Sequence, residues 1–337
     1  MRYRKLGTTD ITISEIGFGC GNTAGLMIWG DPADRLRAAE HAMELGINYF
    51  DTAATYGDGK SEENLGPVLA KLRERPLVGS KVALSDDDLA DIPGAIRASV
   101  ERSLRKLGLD SLDVVHMHNR VRAKRVPGQS AGIGPLLEVD EMLGPGGVQE
   151  TFEALQQEGK LRYFGLCAFG GEPGAYSRVI DEGRFHSVLV FYNVLNPSSA
   201  RAMGPAFAQH DYDRVIERAA AKGVGTVALR VLEAGALSGS ATPHALSGGG
   251  PGRNPEYARN AQRAQALAFL KRDPSETLAQ VAIRFALANQ SVSTVLVGFS
   301  ELSQIDEAAS CSGREGFTPD QLARLEELYA NDFGLGG

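Results

Sequence analysis

Four polar residues fall at or just beyond the ends of three consecutive strand-like segments. Asp51 and Tyr56 belong to the first segment and the loop after it, Lys81 lies in the second, and His118 ends the third. A tyrosine hydroxyl can protonate a developing alkoxide if a nearby cation lowers its pKa from about 10. A lysine can supply that cation, and a carboxylate keeps the lysine charged and oriented. The set predicts proton transfer at the oxygen of a carbonyl or alcohol, as hydride transfer at its carbon requires.

The elements that must position these residues follow from an alternation of short apolar segments with longer amphipathic ones. The segments that read as strands are Ile13–Gly19, Ile47–Ala53, Leu77–Ala83, Leu112–His118, Arg162–Ala168, Ser187–Asn193, Gly225–Val231 and Ser293–Phe299. The predicted helices include Asp34–Leu45, Ile92–Leu107, Glu150–Glu158, Asp211–Ala221 and Thr277–Ala288. Eight strands, each followed by a helical crossover, predict an α/β fold, a single (β/α)8 (TIM) barrel domain over residues 1–337. An open doubly wound sheet is disfavoured, because the glycines of 17–21 are not followed at once by a helix.

The ends of the predicted barrel carry additional segments. Tyr3–Leu6 and Ile11–Ile13 flank a short polar turn, which predicts an N-terminal β-hairpin at the bottom of the barrel. Two long connections, Asn119–Gly147 and Glu233–Asn254, follow the fourth and seventh strands. Both fall at the C-terminal face, where barrel active sites are built.

Composition and charge argue against several other classes of protein. The 337 residues are 43% hydrophobic and 23% charged, which is typical of a packed globular protein. A net charge of −7 argues against a nucleic-acid partner, and the basic cluster at 120–125 is predicted to be a solvated loop. Neither a secretory signal nor an apolar run of about 18 residues is expected, so no membrane partner is predicted. Three scattered cysteines fit a cytoplasmic protein, and the oligomeric state stays open.

A metal-dependent hydrolase is an alternative reaction class. His116 and His118 lie two residues apart on one strand, so both point to the same face and could bind zinc. Such a site needs further ligands, and Asp51 is the only obvious one. We therefore expect no metal, with His116 in the barrel interior below the site.

The sequence around the four residues resembles the aldo-keto reductase family over nearly the whole chain. The matching positions are Asn48, Asp51-Thr52-Ala53, Tyr56-Gly57, Ser61-Glu62-Glu63-Asn64-Leu65-Gly66, Lys81, and His118 five residues after Asp113. The resemblance implies that Asp51, Tyr56, Lys81 and His118 form a catalytic tetrad in an NAD(P)(H)-dependent oxidoreductase, with Tyr56 as general acid and base. The implied substrate is a small carbonyl or alcohol compound, such as a sugar, aldehyde or ketone.

The same resemblance implies a set of cofactor contacts. They are Gly19, Asp51, Cys167, Ala168, Arg230, Leu232, Gly235, Leu237, Gly239, Gly298, Ser300 and Gln304. The chain departs from the common pattern at Cys167-Ala168 and Leu189, where many members carry Ser-Asn and Gln to hold the carboxamide. It departs again at 229–231, where the family usually has an aromatic residue that stacks on the nicotinamide.

The segment after the eighth strand bears on which cofactor is used. A 2′-phosphate favours an arginine or lysine, and none occurs between Gly298 and Ser312. Glu301 and Asp306 would instead repel a phosphate. The Val-Leu-Val-Gly run here is similar to the galactose-dehydrogenase-like branch of the family, which uses NAD. NAD(H) is therefore predicted over NADP(H).

Substrate contacts are predicted at the cavity mouth, and a second kind of function is kept open. Besides Tyr56 and His118, the predicted substrate contacts are Trp29, which could stack on a sugar face, and Asn119. The alternative is a regulatory subunit that binds cofactor on the same fold with little turnover. Retention of Lys81 and Tyr56 argues for turnover, because a pure sensor does not need them.

Overall fold

The computed structural model describes residues 1–125, 132–205, 207, 209–240, 242, 244–246 and 256–335. Its strands are β1 Tyr3–Lys5, β2 Thr12–Ser14, β3 Ile16–Gly19, β4 Tyr49–Asp51, β5 Leu77–Val82, β6 Leu112–Met117, β7 Val121–Arg122, β8 Leu137–Glu138, β9 Leu161–Cys167, β10 Ser187–Phe191, β11 Gly225–Leu229 and β12 Val292–Gly298. The α-helices are Leu26–Trp29, Pro32–Glu44, Lys60–Leu69, Ile92–Leu107, Val139–Leu143, Val148–Gln157, Pro173–Glu182, Val215–Ala221, Tyr257–Gln265, Leu278–Ala288, Ser303–Ala309 and Pro319–Ala330.

Eight parallel strands close into a barrel, which confirms the predicted fold. Going round the barrel, the order is β3, β4, β5, β6, β9, β10, β11, β12 and back to β3. Neighbouring strands are therefore consecutive along the chain apart from the small β7–β8 pair, as helical crossovers require. Adjacency of β4, β5 and β6 brings their carboxyl ends together, with Asp51 opposite Gly79 and Lys81 opposite His116.

The predicted hairpin is present and covers the amino-terminal end of the barrel. β1 and β2 pair antiparallel, and the Thr8 amide donates to Gly223 O at 2.9 Å, just before β11. Gly7 has a positive φ of 57°, and a Cβ atom there would lie 2.4 Å from Gly223 O. Only glycine fits this approach of the turn to the barrel floor.

Some predicted boundaries were wrong, and local contacts explain why. The segment Ile13–Gly19 is divided between β2 and β3 at Glu15, whose buried carboxylate pairs with Arg4 at 2.9 Å. The helix predicted from Asp34 begins at Pro32, where proline is already suited to the first turn. The helix predicted from Asp211 begins only at Val215, since the two residues before it have positive φ. Ile92–Leu107 has its predicted bounds.

The two long connections are partly ordered. The first contains the parallel β7–β8 pair and the helix Val139–Leu143. The second begins with a 3-10 segment at Glu233–Ser238. Residues 126–131, 241, 243 and 247–254 in these predicted loops lie outside the described residues. In the part of the chain that is described, no helix has both the length and the apolar character needed to cross a membrane.

Candidate active site

A buried ion pair joins the carboxyl end of β4 to β5. The Lys81 ammonium pairs with Asp51 Oδ2 and also donates to Thr52 O at 2.8 Å. The other oxygen of Asp51 accepts from the Tyr49 hydroxyl at 3.2 Å. Both charged side chains are almost completely buried. These hydrogen bonds are what a buried pair needs, because each unsatisfied charge would carry a large desolvation cost.

In this pair, each residue stabilises the charged form of the other. Burial alone would lower the pKa of Lys81, but attraction to Asp51 and Tyr56 outweighs it, and the net pKa is raised. Burial raises the pKa of Asp51, while Lys81 and Tyr49 oppose the shift. Lys81 is therefore a fixed cation over the ordinary pH range.

Tyr56 lies directly beside this cation, in the 3-10 segment Tyr56–Gly59 after β4. Lys81 Nζ is 4.8 Å from the centroid of the Tyr56 ring. The centroids of the Tyr56 and His118 rings are 5.8 Å apart, with an interplanar angle of 81°. Burial raises the pKa of Tyr56 to about 12, Lys81 lowers it, and Asp51 raises it. The predicted lowering by Lys81 is present, but desolvation is larger, so the net pKa is raised.

His118 follows β6 and faces the same cavity as Tyr56. Its backbone amide donates to Val82 O at 2.7 Å, and its Nδ1 lies 3.4 Å from Thr55 Oγ1. Burial lowers the pKa of His118 to about 3, with further lowering by Lys81 and Arg120. The imidazole is therefore neutral and can act only through hydrogen bonds.

The structure places His116 inside the barrel, as the sequence predicts. The side chain is fully buried, and its Nε2 is 2.8 Å from Ser187 Oγ. Burial, followed by the charge of Lys81, holds the pKa of His116 well below its usual range. Over the described ranges, no group of three or more His, Cys, Asp or Glu side chains is arranged to hold a metal ion. Asp51, the ligand that the hydrolase alternative needs, is paired with Lys81.

A cavity of about 1010 Å³ opens at the carboxyl ends of the barrel strands. The predicted site residues that line it are Gly19, Asp51, Tyr56, His118, Arg230, Leu232, Gly235, Gly298, Ser300 and Gln304. Those that do not line it are Trp29, Lys81, Asn119, Cys167, Ala168, Leu237 and Gly239. The cavity joins the residues proposed for chemistry to the loops after β11 and β12.

The predicted residues that do not line the cavity have other contacts. The Asn119 amide is fully buried; it accepts from Leu84 N at 2.7 Å and donates to Leu84 O and Pro135 O. Trp29 is 43% exposed and carries Lys60 over its ring at 4.9 Å. Cys167 and Ala168 are buried within and just after β9. Asn119 thus joins the loop after β5 to the loop after β6.

Sequence reasoning missed part of the cavity wall. Arg120, predicted to belong to a solvated loop, is half-buried and lines the cavity, and Phe169 and Phe191 line it too. The position of Arg120 two residues after His118 was a usable signal, because residues just past a barrel strand face the active site. Ser238 and Ser240 also line the cavity.

The chain was compared with protein families and known proteins. Residues 15–330 match the Aldo/keto reductase family. The chain belongs to the aldo/keto reductase family. Over 97% of its length it is 29% identical to the L-galactose dehydrogenase of Arabidopsis thaliana, covering 94% of that protein. It is 24% identical over 98% of its length to the L-glyceraldehyde 3-phosphate reductase of Escherichia coli O157:H7, covering 93% of it.

Solved structures show the same fold. An aldo-keto reductase from Bacillus halodurans in its holo form superposes with a TM-score of 0.72 at 23% identity, covering 97% of this chain and 96% of that one. The glycerol dehydrogenase of Gluconobacter oxydans superposes with a TM-score of 0.71 at 20% identity, covering 99% of this chain and 96% of that one. Family membership and the named relatives establish that the protein is an enzyme, an oxidoreductase.

The neutrality of His118 gives a testable prediction. Because its pKa is about 3, its imidazole signals should not titrate between pH ~5 and ~9, where an ordinary histidine with pKa ≈ 6.5 changes charge. NMR of protein labelled in its histidine rings measures this, and the His118→Gln spectrum assigns the signal. A midpoint near 6.5 for His118 would contradict the burial and charge effects described above.

Proposed function

We propose that this aldo/keto reductase exchanges a hydride between a nicotinamide cofactor and the carbonyl or alcohol carbon of a small molecule. The observation that carries the proposal is the convergence of Tyr56 and His118 on one cavity, with Lys81 Nζ 4.8 Å behind the Tyr56 ring. Tyr56 acts as general acid in reduction and as general base in oxidation. A tyrosine, a neutral histidine and a buried cation suit a reaction in which charge develops on one oxygen.

Each residue has a separate task in this proposal. Tyr56 gives its hydroxyl proton to the oxygen of the substrate and takes it back in the reverse direction. His118 donates a hydrogen bond from its ring N–H to the same oxygen and orients it. Because its low pKa keeps the imidazole neutral, His118 does not transfer a proton. Lys81 stabilises the tyrosinate by its charge, and Asp51 holds Lys81 in place.

The cavity fits a dinucleotide together with a small substrate. Its volume of about 1010 Å³ is at the upper end of ligand sites, which are usually ≈ 300–1,000 Å³. Gly235 lines the cavity with a φ of 94°, and without a side chain its backbone can be approached closely by phosphate groups. Gly19, Leu232, Gly298, Ser300 and Gln304 would hold the remainder. When bound, the cofactor supplies or accepts the hydride.

The residues at the far end of the cavity favour NAD(H). Glu307 lines this end, and Glu301 beside it contacts His244 Nε2 at 3.1 Å. The cationic side chains that line the described part of the cavity are Arg120 and Arg230, which belong to the loops after β6 and β11. A 2′-phosphate near Glu301 and Glu307 would therefore meet negative charge.

The first prediction of this proposal concerns Tyr56. Tyr56→Phe keeps the ring and removes the hydroxyl, so kcat for carbonyl reduction should fall by at least ~100-fold, as loss of a general acid does. Cofactor affinity, measured by fluorescence titration, should hardly change. Tyr3→Phe removes an exposed hydroxyl outside the cavity and serves as the matched control. Near-normal turnover in Tyr56→Phe would refute the assignment of Tyr56.

The second prediction concerns cofactor choice. Glu301→Arg exchanges a carboxylate for a cation, so the ratio of kcat/KM for NADP over NAD should rise by ~10-fold or more, as one charge-assisted contact allows. Glu315→Arg makes the same charge change at an exposed position outside the cavity. A wild-type enzyme that already prefers NADP by about tenfold would show that this end of the cavity is wrongly interpreted.

A further inference from the structure

Two arginines in the cavity wall contact a stacked pair of phenylalanines. Phe169 follows β9 and Phe191 ends β10; their ring centroids are 4.2 Å apart at an interplanar angle of 10°. Arg120 Cζ lies 5.8 Å from the Phe169 centroid, and Arg230 Cζ lies 5.3 Å from that of Phe191. All four side chains line the cavity. Cation–π contacts therefore fix two guanidinium groups in one wall.

Among the described residues, Arg120 has no counter-ion. Its Nε is buried and has no hydrogen-bond partner, and no described carboxylate forms an ion pair with its guanidinium. Gly170, with a φ of 65°, makes room for the side chain, since a Cβ atom there would lie 2.7 Å from Arg120 Cζ. A half-buried cation without a paired anion has a desolvation cost that no ion pair offsets.

Arg230 adds a second positive charge that is only partly offset. It adopts a left-handed backbone conformation with a φ of 57°, which is strained for a residue other than glycine. Its nearest carboxylate, Glu233, is 3.6 Å away and also accepts from Asn193 Nδ2 at 2.8 Å. Burial lowers the pKa of Arg120, and the charge of Arg230 lowers it further.

The carboxylates of the cavity wall are bound elsewhere. Asp51 pairs with Lys81, and Asp88 accepts from the amide and hydroxyl of Ser85, both at 2.7 Å. Glu307 accepts from Thr277. Within the described part of the cavity, the charge of Arg120 is thus left for a ligand to neutralise, whereas Arg230 shares its charge with Glu233.

We propose that Arg120, assisted by Arg230, binds an anionic group of the substrate, so that the substrate is a carbonyl compound bearing a carboxylate or a phosphate. The planar guanidinium pairs with either group through two parallel hydrogen bonds. Arg120 lies two residues beyond His118, whose low pKa its charge helps to set, so the anion is bound close to the reacting oxygen. This inference rests on the proposed function, because it assigns the substrate class of the same site.

The kinetic test uses two matched pairs of aldehydes. Glyceraldehyde 3-phosphate is compared with glyceraldehyde, and succinic semialdehyde with butyraldehyde, by kcat/KM. We expect the wild type to prefer the charged member of at least one pair, and the pair that shows it distinguishes phosphate from carboxylate. Arg120→Met should reduce that preference by about 10- to 100-fold, the usual range for hydrogen bonds to charged groups. The preference of Arg120→Lys should lie between those of the wild type and Arg120→Met, since lysine keeps the charge but cannot form two parallel hydrogen bonds.

A binding measurement makes the test independent of turnover. Succinate or inorganic phosphate should raise the Tm of the wild type and fail to raise that of Arg120→Met. Arg324→Met is the control, because it removes an arginine 4.2 Å from a phenylalanine ring centroid outside the cavity. It should behave as the wild type in both measurements. Arg120→Gln replaces Arg120→Met if circular dichroism shows that the methionine variant is unfolded.

The outcomes separate this inference from the proposed function. Turnover of neutral aldehydes at least as good as that of the charged ones, or a preference that Arg120 variants leave intact, would overturn the anion site alone. No turnover of any carbonyl compound, with a Tm shift that still depends on Arg120, would overturn the proposed function and keep the anion site.

Discussion

The rest of the site depends on the buried ion pair between Lys81 and Asp51. A lone lysine at this depth would tend to lose its proton, because desolvation disfavours the charged form. Asp51 reverses that tendency, and Thr52 O and the Tyr49 hydroxyl satisfy other hydrogen-bonding positions of the pair. The outcome is a permanent positive charge beside Tyr56. The same charge contributes to keeping His116 and His118 neutral.

The barrel is what makes this arrangement possible. Parallel strands in chain order bring the carboxyl ends of β4, β5 and β6 side by side, so residues 30 or more positions apart meet without long loops. Strands are stiff supports, whereas most of the cavity wall comes from the connections after β3, β5, β6, β11 and β12. Asp51 and Lys81 thus lie on strands, whereas Arg230, with its strained backbone, lies in the loop after β11.

The sequence predicted the barrel, the hairpin and the place of His116, because apolar periodicity and strand order determine them directly. It also predicted the neighbourhood of Tyr56 and Lys81, since both lie close to strand ends. The net pKa of Tyr56 could not be predicted, because desolvation depends on how tightly the surroundings enclose the hydroxyl, which residue spacing does not show. Asn119 and Arg120 illustrate the same limit. The first is buried and hydrogen-bonds to Leu84, whereas its neighbour lines the cavity, and only the three-dimensional path of the loop shows which is which.

The most direct test of the central claim, that the charge of Lys81 tunes Tyr56, is the pH dependence of kcat/KM for alcohol oxidation. Oxidation needs a proton-accepting Tyr56, so activity rises with pH towards the pKa of that residue. Lys81 lowers the pKa of Tyr56 by more than Asp51 raises it. Removing the charge of Lys81 should therefore raise this pKa, even if Asp51 loses its charge as well. In Lys81→Met the rising limb should move to higher pH, whereas in His118→Gln, which removes a neutral group, it should stay in place. A Lys81→Met enzyme that is slower but keeps the wild-type limb would contradict the account.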